Sequence, residues 1–239
     1  MKHLAANIVR KWAHLRLQPI HVYCCHHVCG VFDAAWMHQT DFLSIEDFKR
    51  TIVSMQRSGV EFISLTDAYN KIIDSQCFMS FRLANYAVLT FDDGYASIGE
   101  VLPWLMAQKI PVALFINPDY AEGRAFRDSS QESYLSTNEI ENLVRNNNGL
   151  VQVGMHGMRH IDANTMSDKE FNDFVEQTMV ETSKYVGYIP FWAYTWGRHN
   201  ATADKILRAH EIVPVLMDGM KNYNDPLSIH RELLHTDGV

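Results

Sequence analysis

Short apolar runs rich in β-branched residues alternate with longer amphipathic segments along most of this chain, and this alternation strongly limits the possible folds. The apolar runs, read as strands, cover residues 20–28, 60–65, 86–91, 112–117, 150–155, 191–194 and 212–217. The segments between them predict helices over 44–58, 66–73, 97–108, 138–147, 167–186 and 201–210. Strands that alternate with helices predict a parallel sheet with helical crossovers, and this number of units fits a barrel better than an open sheet.

Helix-capping signals support these helix positions. Ser44 precedes Asp47, and Ser167 precedes Glu170, each at the spacing of a capping box, while Thr66 is expected to cap the second helix. Residues 120–136 show no clear periodicity and are rich in charge and serine, so we expect a loop at the rim of the barrel.

Length and composition favour a single globular domain. The chain has 239 residues, of which 47% are hydrophobic, so residues 20–239 can form one α/β domain. The net charge of −7 and the lack of a basic run argue against a nucleic-acid partner. Residues 1–19 predict a short amphipathic helix with a basic side, which either packs on the domain or makes weak contact with a membrane surface.

The cysteine pattern and the absence of a signal-like or membrane-spanning stretch predict a cytoplasmic location. Cys24, Cys25 and Cys29 crowd together and Cys77 lies apart, which is a poor arrangement for a disulfide framework and favours reduced thiols. The run 24–29 also contains two histidines. Since neighbouring strand residues point to opposite faces, we do not expect these side chains to converge on a metal ion.

Two polar motifs directly follow predicted strands. Asp92 and Asp93 come after the apolar run that ends at Phe91, and His156 and His160 come after residues 150–155. The carboxyl ends of parallel strands meet at the mouth of a barrel, so these four side chains are expected to lie close together. One carboxylate with two imidazoles leaves a metal coordination position open, which is typical of catalytic metal sites. The second carboxylate remains available as a base, and the sequence therefore predicts a metal-assisted hydrolase.

The same motifs resemble those of the polysaccharide deacetylases, which form carbohydrate esterase family four and are also called the NodB homology domain. The first family motif is intact as Thr90-Phe91-Asp92-Asp93-Gly94. The second is intact as His156 and His160, with Gly157 where Ser or Thr is common. The third is similar to residues 191–198, with Thr195 where the family often has Pro. The run Cys25-His26-His27-Val28 resembles the Tyr-His-x-Val that opens one branch of the family.

This resemblance implies a distorted, incomplete (β/α)7 barrel of the polysaccharide deacetylase type. It also implies a divalent metal, zinc before cobalt, nickel or another ion, held by Asp93, His156 and His160. Asp92 would be the general base, and the backbone N–H near Trp196 would help to hold the oxyanion. For the general acid, His26 is favoured, with His235 or a route through solvent or substrate as alternatives.

Other residues near the motifs have two interpretations. Asp218 and Arg231 could orient the base, as charged groups there do in the family, or form surface pairs. Trp192, Tyr194 and Trp196 are expected in the core or in the cleft wall, where an aromatic face could stack on a sugar ring.

The predicted reaction is hydrolysis of the N-acetyl group of an amino sugar, in a polysaccharide or a glycan precursor. One alternative is an esterase that removes O-acetyl groups from a polysaccharide. Another is a non-catalytic protein that only binds glycans. The presence of Asp92 argues against the last, because a site that only binds has no need of a base.

Overall fold

The computed structural model describes residues 19–32, 42–77, 84–125, 133–222 and 225–235. The predicted N-terminal helix, apart from its last residue, lies outside these described residues, as does the middle of the predicted rim loop at 126–132. Within the described residues, no helix has the length and apolar character needed to cross a lipid bilayer.

The central feature is a parallel sheet that curves into a nearly closed barrel. The strands of the described residues are β1 (Ile20–Cys25), β2 (His27–Cys29), β3 (Phe42–Ser44), β4 (Val60–Phe62), β5 (Asn85–Phe91), β6 (Val112–Ile116), β7 (Val151–Met155), β8 (Tyr188–Ala193), β9 (Val213–Leu216), β10 (Ile229–His230) and β11 (Glu232–Leu233). Eight of them follow one another in the sheet in the order β10-β9-β8-β7-β6-β5-β1-β11, and β4 pairs with the beginning of β5.

The two ends of this strand path are joined by one residue. β10 pairs with β9 and β11 pairs with β1, and only Arg231 separates the two short strands in the chain. Counted as the two halves of one interrupted strand, β10 and β11 complete a barrel of seven strands, which is the number that the family resemblance implies. The predicted strand at 60–65 forms β4, which lies beside this path, and β10 and β11 were not predicted. The predicted fold class is therefore confirmed.

Helices cover the outside of the sheet, and two of them begin at the predicted serine caps, Ser44 and Ser167. They are α1 (Ile45–Arg57), α2 (Leu65–Cys77), α3 (Leu102–Ala107), α4 (Pro118–Ala121), α5 (Thr137–Asn146), α6 (Asp168–Thr182) and α7 (Ala201–Ala209). Ser44 caps α1, whereas Ser136 and Ser167 each form a full capping box with the glutamate three residues later.

Two helix predictions were wrong in detail. The segment 97–108 does not form one helix, because a 3-10 turn over Ala96–Glu100 precedes α3, in which Pro103 occupies the first turn. The second helix begins at Leu65, and the Ser64 hydroxyl rather than Thr66 accepts a hydrogen bond, of 3.1 Å, from the N–H of Asp67.

The predicted first strand, 20–28, is interrupted at His26. β1 ends at Cys25, and β2 leaves the barrel to pair with β3 in a separate two-stranded sheet. Backbone hydrogen bonds to neighbouring segments continue to the last residues of β1. The Cys24 carbonyl accepts from the N–H of Leu234, and the Cys25 carbonyl accepts from the N–H of Asp92. His26 therefore lies at the carboxyl end of a barrel strand rather than inside a strand.

Apolar residues fill the barrel from its amino-terminal end upwards. Alternate residues of the strands form the buried interior cluster, including Val22, Val88 and Phe115, and α2 closes this end with Leu65 and Ile72. The residues between them on the strands face outwards and pack beneath the helices in a second cluster. This leaves polar side chains at the opposite end of the barrel, where the strands terminate.

Candidate active site at the carboxyl end of the barrel

The predicted site residues lie together in a cleft at the carboxyl ends of the barrel strands. β1 leads to His26, β5 to Asp92 and Asp93, β7 to His156, and β8 to Tyr194. The cleft has a volume of about 200 Å³ and is lined by His26, Asp92, Asp93, His156, His160, Tyr194, Trp196, Gly197 and Met217.

The backbone after β5 explains how two adjacent carboxylates reach the same cleft. Val88 and Thr90 face the barrel interior, and Asp92 continues this alternation inwards. Asp93 would face outwards in an extended strand, but its backbone adopts a left-handed conformation with φ of 65°. Aspartate tolerates this conformation better than most residues, and Gly94 follows at φ of 72°. The turn therefore brings Asp93 to the mouth beside Asp92.

Asp93, His156 and His160 form a compact, buried group of possible metal ligands. Asp93 Oδ1 lies 3.4 Å from Nε2 of each histidine, and the ligand atoms all lie within 4.8 Å of one another. Two ligand atoms bound to a tetrahedral zinc ion lie roughly 3.3 Å apart, given bond lengths near 2.0–2.1 Å. The spacing and the donor types therefore fit a divalent metal ion.

The surroundings of this group orient its ligand atoms. His156 Nδ1 lies 2.8 Å from the Ala193 carbonyl, which can accept the Nδ1 proton and leave the Nε2 lone pair facing Asp93. Burial raises the pKa of Asp93, but His156 and His160 outweigh this and hold it well below its usual value. Burial lowers the pKa of His156, but the neighbouring carboxylates of Asp93 and Asp92 favour the protonated ring and outweigh this, so the net shift of its pKa is upward.

Asp92 is held in place by Arg231. Arg231 Nη1 donates to Asp92 Oδ1 at 2.7 Å, and Nη2 donates to Oδ2 at 2.8 Å. Nη1 also donates to Thr90 Oγ1 at 3.0 Å. Burial raises the pKa of Asp92, but Arg231 and His156 outweigh it, so the pKa lies below its usual value. Of the two predicted orienting residues, Arg231 contacts the predicted base, whereas Asp218 pairs with His230 Nδ1 at 2.8 Å.

A second group, Cys24, His26 and Asp92, is equally compact but less suited to a metal ion. Its ligand atoms also lie within 4.8 Å of one another. Arg231 already occupies both oxygens of Asp92, and burial raises the pKa of the Cys24 thiol well above its usual value. The other residues of the run 24–29 point elsewhere: His27 contacts Ser97, and Cys29 donates to the Val31 carbonyl.

His26 is the better placed of the two predicted acids. It lines the cleft, and among the described residues its buried Nδ1 has no hydrogen-bond partner. His235 is exposed and does not line the cleft.

The three aromatic residues of the third motif occupy different environments. Trp192 is buried in the cluster beneath α6, and the buried Tyr194 donates from its hydroxyl to Asp204 at 2.9 Å. Trp196 has a left-handed backbone, with φ of 53°, and is 53% exposed. Its ring meets the ring of His160 edge-on, with a centroid distance of 4.2 Å. Of these three residues, Trp196 alone therefore offers an open aromatic surface beside the candidate metal ligands.

Sequence reasoning missed three residues that contact the loop carrying the histidines, namely Asn117, Asp119 and Tyr120. All three are buried and follow the end of β6. Their position in the sequence could have revealed them, because polar residues directly after a buried barrel strand are expected near the mouth of the barrel.

The polysaccharide deacetylase family model matches residues 83–215, which is more than half of the chain. No protein of curated function matches the chain at a significant level.

Several solved structures share the fold over nearly the whole chain. IcaB from Ammonifex degensii has 21% sequence identity and a TM-score of 0.74, covering 93% of this chain and 95% of its own. A de-N-acetylase from Aggregatibacter actinomycetemcomitans has 14% identity and a TM-score of 0.73, covering 93% and 97%. The Streptococcus pyogenes deacetylase PplD, solved in complex with acetate, has 17% identity and a TM-score of 0.71, covering 92% and 93%.

The matched residues include both motifs, from Asp92 and Asp93 to His156 and His160, and the structural relatives share the surrounding barrel. The chain belongs to the polysaccharide deacetylase family.

Proposed function

We propose that this protein is a metal-dependent deacetylase that hydrolyses the N-acetyl group of an amino sugar in a glycan or glycan precursor. The observation that carries the proposal is the pairing of Asp92 with Arg231 directly beside Asp93, His156 and His160. A carboxylate fixed next to a possible metal site, but bonded to a different partner, is suited to act as a base rather than as a ligand.

Asp93, His156 and His160 would hold the metal, which when bound would polarise the acetyl carbonyl and make water more acidic. Asp92 would accept the proton of the attacking water. The bidentate contact with Arg231 keeps the carboxylate ionised and fixes its direction, so little reorganisation is needed when the proton arrives. The backbone N–H of Trp196 would donate to the developing oxyanion at the cleft wall.

Removal of an N-acetyl group also needs an acid, because an amine must be protonated before the C–N bond can break. His26 would supply this proton from the side of the cleft formed by the end of β1. An alkoxide leaves an ester more readily than an amide ion leaves an amide. A histidine at this position therefore favours the N-acetyl substrate over the O-acetyl alternative.

Trp196 would provide the surface for the sugar. The apolar C–H face of a sugar ring can pack on an exposed indole, and Trp196 presents its ring at the mouth beside His160. A longer glycan would extend over the rim, because the cleft itself is too small for more than the reacting unit.

The test is acetate release from N-acetylglucosamine oligomers by metal-depleted protein, with and without added zinc or cobalt. We expect activity only with added metal and a loss of roughly 10²–10⁴-fold in Asp92→Asn. Asp218→Asn is the matched control, since it makes the same change in a carboxylate that pairs with His230 instead.

Equal acetate release by the wild type and Asp92→Asn would contradict the mechanism. Release only from O-acetylated polysaccharide would support the esterase alternative. Binding of oligomers without any release would support the glycan-binding alternative.

A further inference from the structure

The loop that carries the two candidate histidine ligands has no regular secondary structure of its own. Residues 156–160 leave β7 as irregular backbone, although four of the five residues are buried. Gly157 turns the chain with φ of 81°, and a Cβ there would lie 2.8 Å from the Phe174 ring. Buried backbone groups need hydrogen-bond partners, so something outside the loop must satisfy them.

Several of these partners come from residues 117–120, which are the N-cap and the first three residues of α4, and we call them the 117–120 brace. Asn117 Nδ2 donates to the carbonyls of His156 at 2.6 Å and Gly157 at 3.0 Å. The Asp119 N–H donates to the Met158 carbonyl at 3.2 Å. The His160 N–H donates to the Tyr120 hydroxyl at 3.1 Å. The brace therefore contacts the backbone of both candidate ligands.

An ion pair adds a side-chain link between the brace and the loop. Arg159 Nε, which lies between the two histidines in the chain, donates to Asp119 Oδ2 at 2.6 Å. The other oxygen of Asp119 accepts from Arg124 Nε at 2.8 Å. The Asp119 side chain is only 9% exposed, whereas those of Arg159 and Arg124 are 56% and 44% exposed. One buried carboxylate thus bridges two arginines, of which only Arg159 belongs to the ligand loop.

We propose that Asn117 and Asp119 are positioning residues, which hold the 156–160 loop so that His156 and His160 face Asp93 before a metal ion binds. This inference rests on the proposed function, because it concerns the same metal site. Metal affinity depends on how far the ligands must move on binding, and partners of the ligands commonly tune it. The brace acts on the backbone on both sides of Gly157, where the chain would otherwise be free to turn.

The test measures metal binding directly, by titrating metal-depleted protein with Co²⁺ and following the visible absorption of the bound ion. We expect Asn117→Ala and Asp119→Asn to raise the Co²⁺ dissociation constant about 10–100-fold. Two arginine variants, matched because both side chains pair with Asp119, distinguish positioning of the loop from a general loss of charge around Asp119. We expect Arg159→Ala to raise the constant about threefold or more, and Arg124→Ala to stay within about twofold of the wild type.

Thermal unfolding of the metal-free proteins distinguishes positioning from simple destabilisation, because both arginine variants are expected to unfold near the wild-type temperature. In acetate release at saturating metal, the brace variants should lose kcat with little change in KM for the glycan. Should Asn117→Ala fail to fold, the arginine pair decides the question, since both of those side chains are largely exposed.

Three outcomes would overturn the inference. If the wild type binds Co²⁺ but Arg159→Ala and those brace variants that fold bind it equally well, the brace has no positioning role and the proposed function stands. If Arg124→Ala weakens binding as much as Arg159→Ala, the effect is one of charge and not of the loop. If the wild type binds no Co²⁺, the proposed function fails and this inference fails with it.

Discussion

Replacing Arg231 with Met would test whether the Arg231–Asp92 pair supports both the barrel and the predicted base. The substitution removes both hydrogen bonds to Asp92 and the bond to Thr90, and places an unbranched apolar chain over the Phe115 ring. The side chains of Arg231 and Asp92 are 0% and 4% exposed, so water cannot replace the lost guanidinium. Removing one partner of a buried ion pair typically costs about 3–5 kcal/mol.

The measurement is urea unfolding followed by circular dichroism at pH 7, with a chelator present so that metal binding does not shift the equilibrium. We expect Arg231→Met to lower the free energy of unfolding by about 4 kcal/mol. Arg198→Met is the matched control. Arg198 pairs with Asp162 at 3.1 Å but its side chain is 64% exposed, so its loss should cost no more than about 1 kcal/mol.

The pH dependence gives an independent check on the cause. In the wild type the pKa of Asp92 is lowered, so the pair contributes its full stability above the unfolded-state pKa of about 3.9 and loses that stability as the pH falls below it. In Arg231→Met the guanidinium no longer offsets the effect of burial, so we expect the pKa of Asp92 to rise. Protonation of Asp92 then removes the buried unpaired charge, so the difference in stability between the two proteins should shrink from pH 7 towards pH 4.

A double-mutant cycle with Asp92→Asn completes the experiment. Removing both charges leaves no buried carboxylate without its cation, so the double variant should be less destabilised than the sum of the single variants by about 2–3 kcal/mol. A cost below about 1 kcal/mol for Arg231→Met, or strictly additive single effects, would refute this account of the pair.

Three further predictions concern the rest of the barrel. Burial raises the pKa values of the Cys24 and Cys25 thiols. Iodoacetamide at pH 8 should therefore leave both thiols unmodified in the native protein and react with both in protein unfolded in urea, as measured by peptide mass spectrometry. Asn222→Ala should lower the free energy of unfolding in urea by about 2 kcal/mol or more. The buried Asn222 amide bonds backbone groups of Ile20 and His230, on the two sides of the barrel closure, and the substitution leaves them without partners. An unchanged unfolding midpoint would contradict this. Gly154→Ala should cost about 1–3 kcal/mol in the same assay, because a Cβ would lie 2.5 Å from the Phe115 ring, and a neutral effect would show that the ring moves freely.

The sequence was most informative where local patterns determine structure. The apolar run before Asp92 and the one before His156 both form buried strands, and their carboxyl ends meet as the barrel rule requires. Serine caps likewise marked helix starts at Ser44 and Ser167, because capping depends on residues only three positions apart.

The sequence was less informative where distant parts of the chain determine the outcome. The break at His26 interrupts a continuous apolar pattern, and it arises where Asp92 and Leu234 bond to the end of β1. The sequence did not distinguish Arg231 from Asp218 as the partner of the base. Arg231 and Asp92 are 139 positions apart, and local residue spacing cannot indicate a pairing over that distance. The roles of the site residues remain predictions, which the acetate-release and metal-binding experiments address.

Arg231 lies between β10 and β11, so the cation that fixes the predicted base is carried by the last strands of the barrel in the chain. A fragment that stops before residue 225 contains the three candidate metal ligands and the predicted base, but neither the closing strands nor the cation that fixes Asp92. Such a fragment should be inert even if its remaining strands pair correctly. We expect residues 225–235, supplied as a separate peptide, to restore acetate release, so that the activity measures closure of the barrel.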